Sequence, residues 1–304
     1  MADLRTDLGC FNMKNPLITA SGTCGYGHEL AEVFNLSLLG GISVKGTTLE
    51  PREGNPPPRI AETPSGLLNS VGLQNPGIQR VIETELPFLR NFNMATIVNI
   101  AGHAPGDYEK IASMLDKEPG IAALEVNISC PNVNSGGMAF GTDAVTAHTV
   151  ISMVRKATTL PLMVKLSPNV SNIVEIALAV EAAGANIISL INTLQGMVID
   201  IENKKPILQN TFGGLSGPAV KPVALRMVWQ VSQAVKIPVV GLGGIVCAQD
   251  AVEFMMAGAT AFQIGSALFR SPTAPLEIIE GLNEWLDNHG VNKASDIIGQ
   301  AWGK

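Results

Sequence analysis

The sequence predicts an α/β fold, a (β/α)8 TIM barrel with small insertions over the C-terminal face of its strands. Three observations carry this expectation. Eight short runs rich in apolar and β-branched residues recur along the chain. Amphipathic helical patterns lie between them, and that alternation argues for strands joined by helices. Several runs are apolar almost throughout, as in IAALEV and NIISLI, which suits parallel strands buried on both faces. Eight repeats favour a closed barrel over an open, doubly wound sheet.

The elements follow in order. The first strand is expected at 16–20 (PLITA) and runs out into Ser21 and Gly22. The second, 41–45 (GISVK), exits at Lys45 and Gly46. The connection from Gly46 to Pro76 holds GNPPPR and is too long for a simple loop. The third strand, 95–100 (ATIVNI), carries Asn99, and a helix is expected at 107–116. The fourth, 122–127 (AALEVN), ends in Asn127, Ser129, Cys130 and Asn132, ahead of a helix at 144–157. The fifth, 162–166 (LMVKL), brings Lys165 and Ser167 before a helix at 171–183. The sixth, 186–191 (NIISLI), leads to Asn192 and Thr193. A second long connection, from Gly196 to Gly217, contains MVIDIENKKPILQ and precedes a helix at 218–235. The seventh strand, 238–241 (PVVG), and the eighth, 261–265 (AFQIG), are followed by helices at 248–256 and 274–288. Both long connections follow strand ends, on the face where barrel enzymes carry their sites. They read as excursions over the barrel mouth, with residues 1–304 as one domain.

Composition narrows the function classes. At 46 % hydrophobic and 15 % charged residues, the chain can bury a large core and is not a disordered segment. Twenty basic against 26 acidic residues give a net charge of −6, and no basic run offsets it. Neither nucleic acid nor an anionic membrane surface is an expected partner. Cys10, Cys24, Cys130 and Cys247 lie far apart with no C-x-x-C spacing, so no zinc site, cluster site or disulfide framework is expected. Asp3, Arg5 and Asp7 interrupt the N-terminus, and no run approaches the ~18 apolar residues of a membrane span. A cytoplasmic protein is expected.

A barrel core accounts for the apolar residues within the strands but not for polar residues at their exits. Those are mainly amides, hydroxyls and two lysines, with one cysteine and almost no carboxylate. A glycosidase needs a carboxylate pair and a hydrolytic metal site needs clustered His, Asp or Glu. Neither pattern is visible, His28, His103, His148 and His289 are scattered, and no metal is expected. Amides and lysines suit a heterocycle with carbonyl and N–H edges, or a carboxylate. Lys45 and Lys165 end apolar strands, where a merely solvated lysine is less expected. GLGG (241–244) alone reads as a tight βα turn. With QIGS (263–266) on the next strand, and TFGGLSGPA nearby, it reads as a phosphate cradle, because glycines let backbone N–H groups approach an anion at a helix start. An inert buried thiol is the usual fate of a free cysteine. Cys130, between Ser129 and Pro131 at a strand exit, is the exception.

These residues also carry a resemblance. NPLITASGTCGYG, VKGTTLEPREGNPPPRIAETPSGLLNSVGLQNPG, EVNISCPNV, VKLSPN, INTLQGM, GGLSGPAVKP, VVGLGGI and AFQIGSALF together make the chain resemble, nearly end to end, the class 1 dihydroorotate dehydrogenases. The likeness is greatest to the NAD-linked B type. It implies oxidation of dihydroorotate to orotate on FMN in pyrimidine synthesis, with Cys130 as the base. It implies substrate contacts from Lys45, Asn69, Ser70, Val71, Gly72, Leu73, Asn127, Asn192 and Thr193. It implies FMN contacts from Ser21, Gly22, Lys45, Gly46, Asn99, Asn127, Lys165, Ile191, Gly217, Gly243, Gly244, Gly265 and Ser266. In the B type a partner subunit holding FAD and a [2Fe–2S] cluster passes electrons to NAD+. The resemblance thus implies a homodimer within a heterotetramer. This chain has neither a cluster-binding cysteine set nor a G-x-G-x-x-G opening a βαβ unit, in keeping with that division of labour. The fumarate-using A type, a flavin barrel for another pyrimidine or for tRNA uracil, and a flavin-free phosphate-binding barrel stay open as alternatives.

Overall fold

The computed structural model describes residues 1–129 and 140–303. Eight parallel strands close a barrel: β1 (Leu17–Thr19), β2 (Gly41–Ser43), β3 (Ala95–Ile100), β4 (Ala123–Asn127), β5 (Leu162–Lys165), β6 (Ile187–Leu190), β7 (Val239–Leu242) and β8 (Ala261–Ile264). They neighbour one another in chain order, and β8 pairs back onto β1 through Ile264 and Thr19. All eight fall within a residue or two of their expected places. The second differs most. It ends at Ser43, because the Lys45 N–H bonds the Gly25 carbonyl instead of the neighbouring strand.

The expected helices form as α1 (Pro105–Leu115), α2 (Ala144–Ala157), α3 (Ile173–Ala182), α4 (Lys221–Ala234), α5 (Ala248–Met256) and α6 (Ala274–Asn288). The helix expected from 218 begins as a 3-10 turn, Pro218–Val220, before α4. Two helical segments carry no clear sequence signal. His28–Val33 is six residues long. The segment from Ile78 to Leu89 takes a π turn over Val81–Glu85, directly ahead of Pro87. Proline lacks the N–H of a regular turn, and both features blur the 3.6-residue period.

Inside the barrel, side chains stack in layers from alternate strand positions. The lowest layer is apolar: Ile18, Ile97, Ala123, Met163, Ile187, Val240 and Ala261, closed from below by Leu8 and Met13 of the N-terminal hairpin Thr6–Asp7/Asn12–Met13. Two residues further along, six of the eight strands turn polar, with Ser43, Asn99, Glu125, Lys165, Ser189 and Gln263, all buried. The apolar backs of the strands pack against the helices in the main core.

The two long connections do not form separate excursions. Ile60–Thr63 and Gly66–Asn69 from the first join Phe212–Ser216 and Leu194–Met197 from the second in one four-stranded antiparallel sheet. Asn69 stands opposite Gly214 across the junction. The sheet has a small core of its own, Ala61, Leu68 and Leu208. Among the described residues no helix is long and apolar enough to cross a membrane.

Candidate active site

The strand exits and the added sheet enclose a cavity of about 1020 Å³. That is the upper end of the ~300–1,000 Å³ usual for small-molecule sites, room for more than one small ligand. Ser21, Gly22, Lys45, Gly46, Asn69, Ser70, Val71, Gly72, Leu73, Asn99, Asn127, Lys165, Ile191, Asn192, Thr193, Gly217, Gly243, Gly244, Gly265 and Ser266 all line it. Residues up to 245 positions apart in sequence are thus brought to one site by the barrel's closure. Cys130 lies outside the described residues. Of the other thiols, Cys10 and Cys247 are exposed, while Cys24 is buried, held by Thr19 at 3.2 Å and pushed up by burial to about 11. Cys24 therefore stays a neutral thiol at physiological pH.

Among the described residues, the charged groups lining the cavity are two lysines, Lys45 and Lys165. The Lys45 ammonium lies where a side chain on Gly22 would approach it, 3.6 Å from an ideal Cβ. Lys165 ends β5 and is 5 % exposed. Its Nζ stands 4.0 Å from Oε2 of Glu125, in the same polar layer.

The amides are arranged by their neighbours. Asn127 accepts from the Ser129 N–H (3.2 Å) and hydroxyl (2.6 Å) through its side-chain oxygen. With that oxygen committed, the NH2 is what it can offer a ligand. Asn192 donates to the Ser129 hydroxyl, and its oxygen accepts from the Thr193 N–H at 2.8 Å. Asn69 donates to the Gly214 carbonyl across the added sheet at 3.3 Å. The same sheet carries the segment 69–73 onto the cavity wall, where Leu73 takes φ +57°, a conformation that costs a non-glycine residue of order 1–3 kcal/mol and is typical of functional segments.

The glycine turn after β7 is tightly packed. Gly243 and Gly244 adopt positive φ, and a Cβ on Gly244 would lie 2.8 Å from the Lys221 Cβ and 2.9 Å from the Gly217 carbonyl. The turn is a packing requirement and also part of the cavity wall. Asp250 holds it, accepting from the Val246 and Cys247 N–H groups at 2.9 and 3.2 Å and from Lys221 at 2.6 Å.

Inside the barrel, beneath the cavity, lies a carboxylate that does not line it. Glu125 is fully buried beneath the cavity. Its Oε2 accepts from Ser43 (2.7 Å) and Asn99 (2.6 Å), and its Oε1 from Ser189 (2.9 Å) and Gln263 (2.8 Å). Burial pushes its pKa up, but Lys165 and the donors from Ser43, Asn99 and Gln263 pull it, on balance, below the ordinary carboxylate value. It is therefore ionised at neutral pH. Gln263, which also lines the cavity, was not expected either. The available signal was a glutamate, a glutamine and two serines at inward positions of strands otherwise apolar.

Comparison with known proteins agrees with this architecture. The family model described as "Dihydroorotate dehydrogenase" matches residues 3–286. A protein of Geotalea uraniireducens is 54 % identical over 297 residues, covering 98 % of this chain and 97 % of its own. One of Desulforamulus reducens is 55 % identical over 299 residues, covering 98 % of each chain. One of Bacteroides thetaiotaomicron is 54 % identical over 299 residues, covering 98 % and 99 %. Each is named "Dihydroorotate dehydrogenase B (NAD(+)), catalytic subunit".

Proposed function

The chain belongs to the dihydroorotate dehydrogenase family, and from that premise we propose that it oxidises dihydroorotate to orotate in pyrimidine synthesis, as an FMN-binding catalytic subunit that hands its electrons to a partner and thence to NAD+. The observation that carries the reading is the cavity itself: two lysines as its charged lining groups among the described residues, surrounded by amides, at the C-terminal mouth of the barrel.

The residues present fit FMN. The side-chain oxygens of Asn99 and Gln263 are buried without a hydrogen-bond partner in the cavity floor, and such acceptors call for a donor such as a ring N–H. Gly217, Gly243, Gly244, Gly265 and Ser266 line one end of the cavity, where backbone N–H groups at the start of the following segments suit a phosphate. Ser21 and Gly22 line the cavity and would pass beneath the ring. When bound, FMN supplies a two-electron acceptor for the hydride that leaves C6 of the substrate.

The chain's own residues do the rest. Asn69, Asn127, Asn192, Thr193 and the segment Asn69–Leu73 bind and orient the pyrimidine, with amide and backbone groups matched to the polar edges of such a ring. Lys45 neutralises the substrate carboxylate. Lys165 stabilises negative charge as electrons arrive. Cys130, matched to the family's base, takes the C5 proton. A thiol of ordinary pKa ~8.5 needs only a modest shift for that task. Residues 1–304 act as one FMN-binding unit. The electron-transfer partner carries FAD and a [2Fe–2S] cluster, in a heterotetramer built on a homodimer of this chain.

Purified with its electron-transfer subunit, the chain should reduce NAD+ on addition of dihydroorotate, and without that subunit it should not. Turnover of the chain alone with fumarate as acceptor, at a rate matching the NAD+ reaction of the complex, would overturn the B-type assignment.

A further inference from the structure

Glu125 has no place in the chemistry above, and it does not line the cavity. It lies within the barrel's polar layer, fully buried, as the acceptor for four neutral donors, two on each oxygen, with an ammonium 4.0 Å away. Three of the five groups it touches, Asn99, Lys165 and Gln263, do line the cavity. An ionised carboxylate can only accept. Asn99 and Gln263 must therefore turn their NH2 groups down to it, and their carbonyl oxygens are turned away. Both oxygens are buried with no partner. The Asn99 oxygen lies 3.0 Å from where a Cβ on Gly46, another lining residue, would stand. Two unpaired buried acceptors are costly unless a ligand supplies the donor.

We propose that Glu125 is a positioning residue of the flavin site: it holds the Lys165 ammonium at the cavity floor, balances its charge, and fixes Asn99 and Gln263 with their carbonyl oxygens presented to the cofactor. Gln263 thereby joins the cofactor-contacting residues. The inference rests on the FMN reading and deepens it. The pair Glu125–Lys165 presents a hydrogen-bond donor without a net charge. Lys165 alone would favour the electron-rich ring, and Glu125 tempers that pull, so that the reduced cofactor still releases its electrons to an acceptor.

The charge balance makes a signed test. Midpoint potentials of bound flavin would be measured for the wild-type holoenzyme, Glu125→Gln, Lys165→Met and the double variant. Removing the carboxylate leaves the ammonium unbalanced, and the potential should rise. Removing the ammonium should lower it. The double variant, neutral like the wild type, should return towards the wild-type value. Glu125→Gln should also raise the FMN dissociation constant about tenfold, since one amide donor must lose its partner. A residue serving only the fold would lower stability without moving the potentials in opposite directions. If Glu125→Gln fails to fold, the step from Lys165→Met to the double variant makes the same deletion, and the potential should rise across it. A flavin-loaded wild type whose potential is unchanged by loss of Glu125, in either background, overturns this inference alone. A wild-type chain that binds no FMN overturns the functional reading beneath it.

Discussion

Glu125 is the carboxylate whose titration the folded state should register most directly. In the native protein it titrates below its ordinary value of 4.5. A group held below its unfolded value adds stability that is fully present above the unfolded value and is lost as the pH falls through the folded one. The wild type should therefore lose stability below about pH 4.5 more steeply than Glu125→Gln. At pH 7 the variant should be less stable by roughly 3–5 kcal/mol, the usual result of leaving one half of a buried pair uncompensated. Denaturant midpoints between pH 3 and 7 would show this, and parallel curves for the two proteins would contradict it. At this scale the sequence was legible where a polar residue ends an apolar run. Lys45, Asn127 and Lys165 stand out for that reason. Glu125 was not, because it occupies an inward position within IAALEV, a run whose overall character is apolar. A single charge there does not break the pattern, and its four donors come from four other strands.

At the scale of elements, the turn after β7 shows how local geometry and site are shared. Alanine at Gly244 would need φ near +80° and would bring its Cβ within 2.9 Å of two atoms of Lys221 and the Gly217 carbonyl. We expect Gly244→Ala to destabilise the protein by about 1–3 kcal/mol and to weaken FMN retention. Gly290→Ala, also at positive φ (+66°) but with nothing within 4 Å, should show only the smaller backbone cost and full retention. Thermal denaturation and flavin content of the two variants separate these effects. Equal flavin loss in both would show that the turn does not shape the phosphate end. The barrel strands were readable because each is a compact apolar run between polar exits. The added sheet was not, although both of its parent segments stood out by length. Its strands GLLN and FGGLS are short and glycine-rich, with no alternation to mark a face, and the pairing of Asn69 with Gly214 spans too much sequence for any local signal.

At the scale of the whole molecule, an acidic chain of net charge −6 carries its two cavity-lining charges, among the described residues, as lysines. A cleft of that sign in low-dielectric walls concentrates anions against the sign of the overall charge. Phosphate and a carboxylate are anions of this kind, and an electron-rich ring is drawn by the same positive charge. The barrel brings the fixed amides and both lysines to the same mouth, and the added sheet closes over them with Asn69–Leu73. On the proposed reading this mouth binds flavin and reduces it with dihydroorotate. Anaerobic titration of the purified chain with dihydroorotate, followed by the visible flavin absorbance, tests it most directly. The protein should be yellow and bleach with one dihydroorotate per flavin. A yellow protein that keeps its absorbance at saturating dihydroorotate, with the cofactor still reducible by dithionite, would contradict it.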